Sequence, residues 1–141
     1  MQKSESYVYF AFKGEFNPDE ITNCIGLTPT SIWRKGEIGK YSKLGYKFSL
    51  WELSTEIGKE DLDMNKLVKE IVNKLRGKEE IIIELKTKFN ANSILQIKMD
   101  IDINDENSTP YIGHDIETIE FLYKTKTETD VDIYRYNSGK K

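Results

Sequence analysis

"SILQIKMDIDI", residues 93 to 103, alternates without a break. Leu95, Ile97, Met99, Ile101 and Ile103 fall on one side, and Gln96, Lys98, Asp100 and Asp102 on the other. Successive side chains of a strand point to opposite faces, so the pattern predicts a strand with one dry face and one wet face. Parallel sheets are covered on both faces and read as continuous apolar runs, whereas a sheet wetted on one face points to an antiparallel, α+β arrangement. The flanking sequence must then supply more strands, and helices for the dry face only.

Upstream of this strand the period is helical. Leu62, Leu67, Val68, Ile71, Val72 and Leu75 share one stripe, with Lys66, Lys69, Asn73 and Lys74 outward and Gly77 at the end. In residues 78–89 the triplet Ile81-Ile82-Ile83 has strand character, but its Glu- and Lys-rich setting and lack of turn residues favour a helix. A helix is expected there, with a strand left open.

The N-terminal third begins with a strand at residues 6–13. Val8, Phe10 and Phe12 lie on one side and Tyr7, Tyr9 and Ala11 on the other, so the strand should be central. Asn17 then caps a short helix, with Pro18 at its first position, Glu20 completing a capping box and Gly26 as the stop. Ile21, Cys24 and Ile25 form its apolar stripe, and Cys24 is expected to pack as a small hydrophobe. Residues 30–35 and Tyr46–Leu53 read as a long-looped hairpin around a Gly- and Lys-rich loop.

Beyond residue 103, N-D-E-N-S-T-P is a loop. Asp115 caps a helix carrying Ile116, Ile119, Leu122 and Tyr123, and TDVDIYRY is a final strand. The order β-α-β-β-α-α-β-α-β contains a βαββαβ unit, a ferredoxin-like core, with an extra helix and a terminal αβ extension. The expected fold is α+β, a mainly antiparallel sheet of about five strands with helices on one face. The length of 141 residues fits one domain, with residues 6–136 as its ordered core and 137–141 as a flexible tail.

Composition excludes several chemistries. One cysteine and one histidine rule out the usual zinc ligand sets and an internal disulfide, and a lone cysteine suits a reducing, cytoplasmic setting. Asp100, Asp102 and Asn104 have the spacing that opens a calcium loop, but Asp105 stands where glycine is needed and Tyr111 where glutamate is needed. The nine glycines are scattered and form no phosphate loop. No apolar run suggests a signal peptide or a membrane span. No catalytic residue, metal or cofactor is therefore assigned. His114, beside Asp115, is the one candidate base, although a histidine before a helix more often belongs to its cap.

The charges are unevenly placed. Arg34, Lys35, Lys40, Lys43 and Lys47 stand against Glu37, a local +4, whereas residues 100–120 hold seven acids, among them Asp100, Asp102, Asp105 and Glu106, and no lysine or arginine. The basic group with Trp33 is the candidate binding stretch, and the four acids named are a candidate acidic patch. Trp33 and Trp51 could form a platform for a base or a phosphate. The tight passage from Gly26 through Pro29 to Gly36 instead predicts a buried Trp33, a core anchor under the first helix.

The stretches "ITNCIGLTPTSIWRKGE" (residues 21–37) and "FSLWELS" (48–54) resemble the bacterial family catalogued as domain of unknown function 4279. That family joins a helix ending in L-G-L to a T-P-T turn, a W-R-K-G-type strand end and a tryptophan-containing strand. The matching positions are Gly26, Leu27, Thr28, Pro29, Thr30, Trp33, Arg34, Lys35, Gly36 and Trp51. One departure is that Trp51 is followed by Glu52-Leu53-Ser54, where the family places tryptophan nearer the serine. The resemblance runs over nearly the whole chain and implies no established activity.

The functional expectation is a non-enzymatic bacterial cytosolic module that binds another macromolecule, as an immunity-type or adaptor protein does. One alternative is a small-ligand-binding protein or enzyme with a cleft near Trp33, Arg34 and His114. Another is a weak nucleic-acid binder through Arg34 to Lys47, which the net charge of -3 disfavours. No membrane partner is expected, and the oligomeric state is open.

Overall fold

The computed structural model describes residues 6–38, 44–57, 63–104 and 111–139. Five strands and four helices follow one another as β1 (Tyr7–Gly14), α1 (Pro18–Ile25), β2 (Ser31–Trp33), β3 (Ser49–Ser54), α2 (Met64–Leu75), α3 (Glu79–Phe89), β4 (Asn92–Asp102), α4 (Ile116–Thr125) and β5 (Glu128–Tyr136). The sheet runs β2-β3-β1-β4-β5. β1 is antiparallel to both β3 and β4, and β2 is antiparallel to β3. These four strands with α1 and α2 form the ferredoxin-like unit, and α3 is the inserted helix. β5 joins outside β4 in parallel, a connection that needs a crossover, which α4 supplies.

One face of the sheet holds the core. Val8, Phe10 and Phe12 of β1, Trp51 and Leu53 of β3, and Leu95, Ile97 and Met99 of β4 are all buried in one cluster. Every helix contributes to that same cluster, including Ile21, Leu67, Ile82 and Phe121, so the helices cover a single face. The central position of β1, predicted from its two apolar faces, is its place in the sheet. Residues 79–89 are helical, with Ile82 and Leu85 buried and Asn90 closing the helix in the left-handed region. Helical spacing spreads the isoleucine triplet around the axis and leaves Ile82 as its deepest member.

Several local expectations are corrected. Trp33 is 38% exposed, and the buried tryptophan is Trp51 at 0%. Trp51 lies on the core-facing side of β3, between Ser49 and Leu53, whereas Trp33 pairs with Leu50 on the opposite side. Cys24 is exposed, because α1 turns Pro18, Ile21 and Ile25 inward and aims Thr22 at Trp51. Asp100 lies on the open face but is buried, its amide donating to Ser6 Oγ. Ile103 falls past the end of β4 and is exposed. Leu62 lies outside the described residues.

The largest correction is the facing of α4. Its buried residues are Thr118, Phe121, Leu122 and Thr125, while Ile116 (77% exposed), Ile119 and Tyr123 face outward. Two contacts choose this face. Phe121 meets Phe10 edge-on at 6.5 Å, and Thr125 donates to the Phe121 carbonyl and joins Thr127 and Ser93 in a buried hydroxyl chain. Buried hydroxyls need partners, and this rotation of the helix supplies them.

Candidate functional site

The candidate basic stretch lies at the β2 edge of the sheet. Trp33, on the open face, stacks on Tyr46 with ring centroids 4.7 Å apart and planes within 4°. A short clasp sets this geometry. Gly36 N donates to Tyr46 O, and Tyr46 N to Glu37 O, both at 2.9 Å. Gly36 takes a φ of 90°, and a side chain at Gly45 would meet the Gly36 carbonyl oxygen at 2.7 Å. Glycine is therefore required on both arms of the clasp.

The basic groups here are held by acids. Arg34 donates to Asn17 Oδ1 at 2.9 Å and to Asp19 Oδ2 at 3.0 Å, and its Nε lies 3.5 Å from Glu37. Lys35 pairs with Glu15. Asn17 thus serves as both the α1 cap and the seat of Arg34. The acidic partners offset the local positive charge and occupy donors that a phosphate would need, so the pattern favours a rigid guanidinium beside the exposed Trp33 and half-buried Tyr46. Lys47 is exposed, and Lys40 and Lys43 lie outside the described residues.

The acidic candidates are differently used. Asp102 accepts from Ser138 N at 3.1 Å, Ser138 Oγ at 2.5 Å and Asn104 N at 3.1 Å, tying the chain after β5 to the end of β4. With Asp100 buried, neither carboxylate belongs to a freely solvated patch. Asp105 and Glu106 lie outside the described residues.

His114 lies at the other edge. Its Nε2 is 2.9 Å from Thr129 Oγ1 on β5, and Nδ1 is buried with no hydrogen-bond partner among the described residues. Asp115 does not orient the ring: it caps α4 by accepting from Thr118 N and pairs with Lys69 at 2.9 Å. Hydrogen bonds from Thr118 and Lys69 hold the Asp115 carboxyl down at about 2. A histidine acting as a base on a hydroxyl needs a group that fixes its tautomer, and here the contact works as a tether between α4 and β5. Because β3, β1 and β4 separate β2 from β5, Trp33 and His114 do not share a cleft.

Sequence reasoning missed two features. The Trp33–Tyr46 stack joins residues separated by a loop, and neither residue alone signals it. The open face also carries Glu52, Tyr9 and Lys98. Partial burial raises the Glu52 carboxyl above its ordinary value, and burial with the Glu52 charge nearby raises the Tyr9 phenol. The visible signal was Glu52 beside Trp51 in β3, since alternation sends it to the open face when the indole goes inward.

Among the described residues no cluster of three or more His, Cys, Asp or Glu is placed to hold a metal, and no helix is long and apolar enough to cross a membrane. The fold and exposed face define an α+β protein with a ferredoxin-like core, one sheet face left open and an aromatic pair at its edge. The chain belongs to the family described as Domain of unknown function (DUF4279), whose profile matches residues 4–136. No curated protein and no solved structure matches it.

Proposed function

We propose that this is a non-enzymatic bacterial cytosolic module that binds another protein, in the manner of an immunity-type or adaptor protein, with the Trp33–Tyr46 pair as its anchor. The observation that supports this reading is a preformed stack of two large rings, Trp33 exposed and Tyr46 half-buried beneath it, beside a clamped arginine. Trp, Tyr and Arg are the residue types that dominate the energetics of protein interfaces, and rigid side chains lose little entropy on binding. The acid-bound state of Arg34 and Lys35 weighs against nucleic acid as the partner.

The products of genes adjacent to its own are the first partners to assay. Calorimetry of each against the wild-type protein and Trp33→Ala is the test. A hot-spot tryptophan costs at least about 2 kcal/mol on truncation, roughly thirtyfold in affinity. Binding that is indifferent to Trp33→Ala, or no binding by any neighbour, overturns the reading.

A further inference from the structure

We propose that the outer edge of β5, unpaired among the described residues, is a second docking site, which accepts an extended segment of a partner protein whose side chains alternate between basic and apolar. It lies at the opposite edge of the sheet from Trp33 and stands on separate observations.

The first observation is the backbone. β5 pairs with β4 in unbroken register from Glu128 to Tyr136, nine residues spanning about 30 Å. The carbonyls of Asp130 and Tyr136 turn toward β4, where Gln96 Nε2 and Ile103 N meet them at 3.3 and 2.7 Å. Strand groups alternate in direction, so the N–H and C=O of Thr129, Val131, Ile133 and Arg135 point away from the sheet. Long edges are normally blunted by proline, charged side chains or a bulge. Glu128–Tyr136 contains no proline, its continuous register leaves no bulge, and its acids restrict the edge to a partner of opposite charge. Such an edge is a template for an added strand.

The second observation is how the side chains sort. On the helix side Val131 is 41% exposed and Ile133 47%, both large for apolar residues in a strand. On the open side Glu128, Asp130 and Asp132 form an acidic row, and none makes an ion pair among the described residues. Lys98 lies opposite Asp132 on β4, and Lys13, Lys86 and Lys126 line a hollow with Glu128, so Asp130 and Asp132 are the acids that most need a partner's cations. An added strand meets each row with side chains of matching direction, so apolar groups suit Val131 and Ile133 and lysine or arginine suit the acids. A second copy of the chain is a poor complement. β5 laid antiparallel on itself at full overlap sets Asp132 against Asp132, and any register that keeps the faces matched brings two acidic rows to one face.

A capped peptide as long as β5, alternating lysine and valine, is the probe, with a scrambled isomer as control. Titration into isotope-labelled protein should shift the resonances of β5 and slow amide exchange at Thr129, Val131, Ile133 and Arg135. The double variant Asp130→Lys, Asp132→Lys should weaken the lysine peptide about tenfold or more and bind a glutamate–valine peptide in its place. Trp33→Ala should leave this binding unchanged, so failure here is distinct from failure at the aromatic pair. The proposal is overturned by no shift at millimolar peptide, by equal binding of the scrambled isomer, or by shifts away from β5. Concentration-dependent shifts of β5 without peptide overturn it too, in favour of a second copy at the edge.

Discussion

The indole nitrogen of Trp51 donates to Thr22 Oγ1 at 3.0 Å, joining the centre of β3 to the middle of α1. Thr22 in turn donates to the Pro18 carbonyl at 3.3 Å. This bond gives the buried Trp51 indole its polar partner on α1, whereas Trp33 stays at the surface. Trp51 also packs on Phe12, with centroids 5.8 Å apart. Trp51→Ala should therefore lose about 3–5 kcal/mol, by removal of a fully buried ring. Trp33→Ala should lose about 1 kcal/mol, the worth of one aromatic stack at the surface edge of the sheet. Thermal melts of the two variants separate these roles, and equal destabilisation would contradict the placement of the rings.

On α1, Cys24 is exposed. A thiol-specific reagent should modify it in the folded protein without waiting for unfolding, in kinetics first order in reagent. A rate that saturates at the unfolding rate would place Cys24 in the core.

Asp115 carries an acid-dependent part of the stability. Its carboxyl is at about 2 in the folded protein against an ordinary 3.8, held by the Thr118 amide and the Lys69 ammonium. A folded value below the unfolded one means a contribution complete above about pH 4 and lost as pH falls toward 2. Asp115→Asn should melt below wild type at neutral pH, and the gap should close through that acid window. A gap independent of pH would assign the effect to helix capping without charge.

Glu52 acts in the opposite sense. Burial raises its carboxyl above the ordinary 4.5, with the Lys98 charge partly opposing the shift. The folded state is therefore favoured while Glu52 is protonated, and that advantage is lost as pH rises through the raised value. Glu52→Gln should raise the melting temperature at neutral pH and leave it unchanged near pH 4. Destabilisation at neutral pH would show that the carboxylate has a stabilising partner.

Ile116 and Ile119 point away from the core. Replacing both with lysine should change stability by no more than about 1 kcal/mol. A loss of several kcal/mol would mean that the helix is turned as its apolar spacing alone suggests.

Much of the fold was legible because it rests on local physics. Asn17, Pro18 and Gly26 mark the ends of α1 through groups a few residues apart, although the capping box expected with Glu20 does not form: Asn17 Oδ1 accepts from Asp19 N, and the Glu20 carboxylate lies 3.6 Å from Lys88 Nζ. The alternation in residues 93–103 placed Leu95, Ile97 and Met99 inward, since a strand has only two faces to choose between, but it also placed Ile103 inward, which lies past the strand end and is exposed. The element order, with its βαββαβ unit, followed from such periods. What the sequence could not decide were choices between equivalent local options. Trp33 and Trp51 sit on short strands that read alike, and it is the Phe12 ring and the Thr22 hydroxyl, brought in from β1 and α1, that receive the Trp51 indole. In α4, of the expected stripe Ile116, Ile119, Leu122 and Tyr123 only Leu122 is buried, because Phe10 and the Ser93–Thr127–Thr125 chain draw Phe121 and Thr125 inward. The charges at Arg34 and Lys35 read as free because their acidic partners, Asp19 and Glu15, lie fifteen and twenty residues away. Local periodicity determines what an element is; which of its faces is used depends on partners brought together only by the tertiary fold.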